Sequence, residues 1–328
     1  MSPALENNPP GEWRPSCDLT ALRQRARLLA SIRLFFEEAE VLEVETPLLA
    51  ASVGTDPYIK FFTVTGEVDD LYLQSSPEFA MKRLLAAGTG SIYQICKGFR
   101  RGERGRLHNP EFTLLEWYRV GYTLGQMMDE TAALLQRLFE GQVQGQRRMS
   151  YGELFRQIVG VEWNAPFAQL RNRASALGFS EAERICGTDR ILWLDFLFSH
   201  GVQPGLPAGE LVFVYDYPAP LAALARLKPG KEEVAERFEV FMNGVELGNG
   251  YQELTDVAEQ RCRFEAELDA RRRAAMPCPK LDEFFLAALE SGLPECSGVA
   301  VGLDRILMLK MGHDSIERVL TFPSRAHS

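Results

Sequence analysis

Residues 112 to 118 alternate in a way that dictates their conformation. Phe112, Leu114, Glu116 and Tyr118 occupy every second position, and a period of two places side chains on one face of a β-strand. A carboxylate and a phenol sharing a face with Phe and Leu mark the wall of a site rather than a core, because unpaired buried charge is costly. An edge strand with one wet face is the competing explanation. Against it stands the preceding segment, Phe99-Arg100-Arg101-Gly102-Glu103-Arg104-Gly105-Arg106-Leu107-His108-Asn109-Pro110. Its clustered guanidinium groups suit phosphate recognition.

The bulk composition sets outer limits. A chain of 328 residues, 46% hydrophobic and 25% charged, is a soluble globular protein of one large or two ordinary domains. Cys17, Cys96, Cys186, Cys262, Cys278 and Cys296 include no Cys-x-x-Cys pair, so neither a structural zinc nor a disulfide framework is indicated, and reduced thiols in a cytosol are expected. No apolar run approaches the ~18 residues of a membrane span. The polar, Pro-rich start, Met1 to Ser16, is unlike a signal peptide. A cytoplasmic location without membrane association is expected. The net charge of -9 lacks the basic footprint of a nucleic-acid binder, so tRNA binding is not expected, and the acidic balance serves solubility.

Residues 1–17 read as a flexible tail. Asp18 then caps a helix with Leu22, Ala26, Leu29, Ile32 and Phe36 at helical spacing, followed by a strand, Val41 to Thr46, that stops at Pro47. Leu71 to Gln74 reads as a strand. Ser76 as cap and Pro77 at the first helical position open a helix from Phe79 to Ala87, closed by Gly88. Ile92 to Cys96 is a strand feeding the arginine-rich segment, Gly141 to Arg148 reads as a loop, and Met149 to Gly230 as a mixed helical region ahead of the strand Leu211 to Tyr215. No chemistry is assigned to that region.

Two constellations lie further on. In Glu239-Val240-Phe241-Met242-Asn243-Gly244-Val245-Glu246-Leu247, Asn-Gly between apolar runs is the strongest short hairpin signal. A two-residue turn pairs Phe241 with Glu246 and puts Glu239 diagonally beside Glu246, ~7 to 8 Å away. Two such carboxylates suit Mg2+, which is commonly held by one or two carboxylates together with substrate phosphates. A solvated acidic hairpin is the alternative. Strict alternation would turn Asn249 and Glu253 to the opposite face, so irregular backbone near Gly248 and Gly250 is expected to bring them back. Finally, Ser297-Gly298-Val299-Ala300-Val301-Gly302-Leu303-Asp304-Arg305 reads as a buried strand turning at Gly302 into a helix. Arg305 then lies in the first turn, where anions are favoured.

In this order, the segments around Pro47, Phe99 to Tyr118 and Gly298 to Arg305 resemble motifs 1, 2 and 3 of the class II aminoacyl-tRNA synthetases, lysyl type. The similarity runs from about Leu19 to Phe322. Lysyl-tRNA synthetases place an anticodon-binding domain before motif 1, whereas here motif 1 begins almost at once; residues 18–328 are therefore expected to form a catalytic domain alone. The chain looks most like the stand-alone lysyl-synthetase paralogues that modify a protein. The resemblance implies an α+β fold, an antiparallel β-sheet of six or seven strands flanked by helices, and a homodimer. It also implies an AMP-forming ligase that activates (R)-β-lysine with ATP and Mg2+ and transfers it to a lysine of elongation factor P.

Carried over residue by residue, the resemblance implies that Arg100 contacts the α-phosphate and the substrate carboxylate, Phe112 stacks on adenine, and Arg305 holds the γ-phosphate. Arg101, Gly102, Glu103, His108, Asn109, Leu247 and Gly302 complete the ATP site, and Glu239 and Glu246 carry the metal. Ser76, Pro77, Glu78, Glu116, Tyr118, Asn249, Glu253 and Ala300 form the substrate site. Glu78 and Glu116 take the amine nearer the carboxylate, and Tyr118 with Glu253 the distal ammonium. Two departures stand out. Gly102 replaces the Glu of the family's Phe-Arg-x-Glu, so Glu103 must deliver that carboxylate from one position further on. Ala300 replaces a motif 3 glycine, and its methyl would crowd an α-amine while suiting an amine one carbon farther along. A truncated lysyl-tRNA synthetase that charges tRNA and a non-catalytic amino-acid-binding regulator remain the rival readings.

Overall fold

Alternation in the strand Glu111–Val120 serves two environments at once. Leu115 and Trp117 enter the main core beside Phe36 and Tyr93, whereas Leu114, Glu116 and Tyr118 line a cavity on the other face. The computed structural model describes residues 13–66 and 69–324. Across its main nine-stranded sheet the order is Leu42–Glu43, Ile92–Phe99, Glu111–Val120, Cys296–Gly302, Val245–Gln252, Lys231–Met242, Glu210–Pro218 and Gly145–Ser150, with Leu227–Lys228 paired to Lys231–Met242. The centre is antiparallel, as expected, and each edge adds a parallel pair. Helices Leu19–Glu38, Leu124–Phe139 and Leu303–Lys310 contribute the apolar residues that cover one face. The cavity opens on the other.

Of the tail expected over residues 1–17, residues 1–12 lie outside the described residues. Ser16 and Cys17 are packed: Ser16 N donates to Thr321 O at 2.8 Å, and Cys17 is buried. Asp18 caps its helix, accepting from Ala21 N at 2.7 Å. The buried stripe is Ala21, Leu28, Ile32 and Phe36, so Leu22 and Leu29 lie at its margin and Ala26 in solvent. The next cap also shifts by one. The helix Glu78–Ala86 has Pro77 at its cap position, yet the Ser76 hydroxyl still accepts from Glu78 N at 3.1 Å, and Gly88, at φ +87°, follows its end.

The expected loop over residues 141–148 is instead partly a strand, Gly145–Ser150, running parallel to Glu210–Pro218. Its polarity reflects an edge position, where charged side chains discourage pairing with other chains; Arg147 pairs with Glu210 across it at 2.5 Å. The region beyond forms helices Tyr151–Val159, Phe167–Ala176, Ala182–Cys186 and Arg190–Leu197 around their own core, which packs on the sheet through Val212, Val214 and Phe241. Asp189 and Asp195 from this region reach the cavity.

The hairpin turns at Asn243 (φ +53°) and Gly244 (φ +69°), the left-handed pair that a two-residue turn demands. Phe241 pairs with Glu246 and Val240 with Gly248, leaving Leu247 as the extra residue of a bulge. That bulge changes parity. Glu246, Asn249, Tyr251 and Glu253 all line the cavity despite their odd and even numbers.

Candidate active site

The cavity encloses about 1130 Å3. That is ample for a nucleotide and an amino acid together. At one end stand Arg100 and Arg305, from motifs 2 and 3. Arg100 lies 5.3 Å from the centre of the Phe112 ring and 3.8 Å from Glu103 Oε1. Its Nε is buried and lacks a hydrogen-bond partner among the described residues, a donor that calls for an anionic ligand. Arg305 donates to Glu246 O at 2.8 Å, approaches Glu246 Oε2 at 3.3 Å, and meets His108 Nε2 at 2.9 Å. Burial and the Arg305 charge hold the His108 pKa below its ordinary value, which suits a neutral ring accepting from that guanidinium.

Most of the expected nucleotide residues converge here. Glu103, His108, Phe112, Glu246, Leu247 and Gly302 line the same space as the two arginines. Asn109 does too, but its amide is occupied: Nδ2 donates to Glu111 O and Oδ1 accepts from Ser324 N, so it fixes the loop. Arg101 and Gly102 do not line the cavity. Gly102 takes a positive φ of +84° in a turn, Arg101 is exposed with its N bonded to Lys60 O at 2.7 Å, and the turn presents Glu103 inward.

The other end is built for positive charge. Glu116, 2% exposed, accepts from Ser76 Oγ at 2.7 Å and from the Tyr118 hydroxyl at 2.6 Å. Glu78 and Glu253 converge on Lys82, whose Nζ is 2.6 Å from an oxygen of each. Ala300 stands across from both Glu116 and Asn249 in the sheet. Asn249 is held by Arg237 Nε at 3.2 Å and donates to the Tyr251 hydroxyl at 2.6 Å. Pro77 is buried outside the cavity lining and only shapes the turn into its helix.

Between the two ends, Glu239 and Glu246 border the same cavity. Glu239 is bonded to Arg237 at 2.6 Å, and burial pushes its pKa up to about 7, against the pull of Arg237. Two carboxylates beside a phosphate-binding space fit a hard divalent cation bound jointly with ATP.

The family description "tRNA synthetases class II (D, K and N)" matches residues 14–326. The chain belongs to this family of class II tRNA synthetases. Among its curated relatives are proteins named elongation factor P–(R)-β-lysine ligase. That of Vibrio cholerae serotype O1 is 44% identical over 95% of this chain and 98% of the relative. The Klebsiella pneumoniae subsp. pneumoniae protein is 45% identical over 94% and 97%, and the Yersinia enterocolitica protein 43% identical over 95% and 97%.

In this class II site, Lys82, Arg237 and Asp195 were absent from the sequence-based expectation. Lys82 was signalled by its position four residues after Glu78 on a helix, the spacing of a helical ion pair. Arg237 lies two residues before Glu239 on one strand face.

Burial, and next the nearby Glu78 charge, push the Glu116 pKa from 4.5 up to about 8. Between those values the folded chain holds a proton that the unfolded chain has released. The associated stability is complete below about 4.5 and is lost as pH rises through about 8. An ammonium ligand favours the ionised carboxylate, so it binds without expelling a proton only above that range. Thermal denaturation should therefore show a lower midpoint at pH 8.5 than at pH 6 for the free protein. The increment conferred by a diamine should grow over the same interval.

Proposed function

We propose that the protein activates (R)-β-lysine with ATP and ligates it to a lysine ε-amine of elongation factor P. The observation that carries this reading is one cavity with two arginines at one end and three buried or half-buried carboxylates, Glu78, Glu116 and Glu253, at the other. A diamino acid matches both ends: its carboxylate faces Arg100 and its ammonium groups face the acids, each charge gaining a charge-assisted partner once desolvated.

In the first step the substrate carboxylate attacks the α-phosphorus of ATP, forming an acyl-phosphate bond as pyrophosphate leaves. Arg100 would orient the carboxylate and α-phosphate, Phe112 would support adenine, and Arg305 would take the terminal phosphates, so the rate enhancement comes from placement and charge stabilisation. Glu239 and Glu246 would hold Mg2+, which neutralises phosphate charge when bound. In the second step the neutral acceptor amine attacks the adenylate carbonyl, an amide forms, AMP departs, and the amine proton is released. The exposed Leu34, Leu42 and Leu49 around motif 1 support a homodimer through that surface. We place the protein in the cytoplasm; among the described residues no helix is long and apolar enough to cross a membrane.

The test is ATP–pyrophosphate exchange with (R)-β-lysine, followed by transfer to elongation factor P or to tRNA in separate reactions. Exchange with transfer to the protein is expected. Efficient tRNA charging would overturn the acceptor assignment, and absence of exchange in a folded sample would favour a binding-only regulator. The Ala300 methyl gives a further expectation: Ala300→Gly should raise kcat/KM for α-lysine relative to (R)-β-lysine by roughly 10-fold, the scale of a small steric change in a pocket. Paired exchange assays with the two isomers measure it.

A further inference from the structure

Lys82 lies just behind the lining of the acidic end of the cavity and is the cation that Glu78 and Glu253 share. It is 1% exposed. Its Nζ sits 2.6 Å from Glu78 Oε1, one turn back on the same helix, and 2.6 Å from Glu253 Oε2, which follows the strand Val245–Gln252. The Phe285 ring centre, from the helix Glu283–Gly292, lies 5.8 Å away. The geometry at Glu253 is incomplete: Oε2 has an ion-pair partner but no well-directed hydrogen bond among the described residues. An acceptor so deeply buried has room in its bonding for one more donor.

The charges can be counted from the groups that face one another. Glu78 comes from the helix, Glu116 and Tyr118 from the motif 2 strand, Cys296 from the strand beside it, and Glu253 from just after the next strand, Val245–Gln252. Tyr118 and Cys296 are neutral, since burial drives both of their pKa values up. With all three carboxylates ionised, above the range in which Glu116 holds its proton, they and the one ammonium leave two negative charges. Buried charge without compensation is strongly unfavourable, so the site is balanced by a ligand carrying two ammonium groups.

We infer that Lys82 is a specificity-determining positioning residue: its ammonium clamps Glu78 to Glu253 and cancels one carboxylate charge, setting the pocket to accept a dication. The inference rests on the diamine reading above. Without Lys82 the two acids would repel one another and take up protons, and diamine binding would then have to expel them. The loss should thus be greatest where those protons are held most firmly, at low pH.

The experiment measures (R)-β-lysine and ATP affinity by calorimetry, with exchange kinetics, from pH 6 to 9 for the unaltered protein, Lys82→Gln and Lys82→Arg. Lys82→Gln should weaken diamine binding at least 10-fold near neutral pH, change ATP affinity less than 3-fold, and move the acid limb of kcat/KM up by about one pH unit, with the deficit shrinking toward pH 9. Lys82→Arg keeps the charge and should keep the acid limb where it was, even if crowding weakens binding. A deficit in Lys82→Gln that is equal at all pH values, or equal for diamine and ATP, overturns the inference. So does a Lys82→Arg limb displaced from the original, a result that stands even if Lys82→Gln fails to fold. If the unaltered protein binds no diamine, the functional reading itself falls and takes this inference with it; diamine binding by the unaltered protein with no effect of either substitution sinks the inference alone.

Discussion

Arg100→Ala is expected to lower (R)-β-lysine-dependent ATP–pyrophosphate exchange by about 10²- to 10³-fold, the scale seen when one preorganised donor to a developing anion is removed. The expectation rests on the Arg100 Nε, buried without an acceptor among the described residues. Such a donor is poorly satisfied in the free protein and gains its partner with the ligand, so its hydrogen bond contributes to catalysis instead of to folding. Arg100 also lies over the Phe112 ring at 5.3 Å, so its removal loosens the aromatic platform beside it. The loss should therefore fall on kcat as well as on the KM values for ATP and the amino acid, while the melting temperature changes little. Arg100→Lys should recover only part of the activity, because an ammonium cannot present the guanidinium's fixed fork to two anions. Steady-state exchange kinetics with each substrate varied in turn decides the point; a loss confined to the KM for the amino acid would show that Arg100 does not reach the phosphate.

Much of this site can be read from local pattern because each strand displays its chemistry by alternation. Phe112, Leu114, Glu116 and Tyr118 share a face for that reason alone, and Asn243-Gly244 specifies its own turn. Even the change of parity needed to bring Asn249 and Glu253 beside Glu246 is legible from glycines in the strand, although the extra residue proves to be Leu247 just before them. Contacts between distant segments leave no such trace. Nothing near Lys82 announces that Glu253, 171 positions later, completes its ion pair at 2.6 Å. The same holds for Asp195, carried to the cavity by a helical region whose local sequence specifies only its own core. Arg101 and Gly102 err in the opposite direction. They belong to the motif in sequence, but a positive-φ turn carries them away from the space the motif surrounds. Strand 145–150 was hidden because an edge strand dressed in arginine has the composition of a loop.

Gly298→Ala should nearly abolish use of the amine substrate while sparing ATP binding. A Cβ built at Gly298 would meet Tyr118 Cε1 at 2.3 Å and Glu253 Oε1 at 2.5 Å. Neither neighbour can withdraw cheaply: Tyr118 is 2% exposed with its hydroxyl bonded to Glu116, and Glu253 is 1% exposed and paired with Lys82. The methyl must therefore push apart the two groups that close the acidic end of the pocket. Overpacking of this kind costs about 1 to 3 kcal/mol in stability, visible as a lower melting temperature. Misplacing the carboxylates should add a loss of about 100-fold in kcat/KM for (R)-β-lysine, since a shift of about 1 Å in positioning groups has effects of that order. Gly302, where the same strand meets the Arg305 helix, lies four residues on, about 13 Å along an extended chain, so the nucleotide end should be undisturbed. Calorimetric titration with ATP and with (R)-β-lysine separates the two ends. Equal weakening of both ligands would mean that the strand, rather than the pocket floor, had given way.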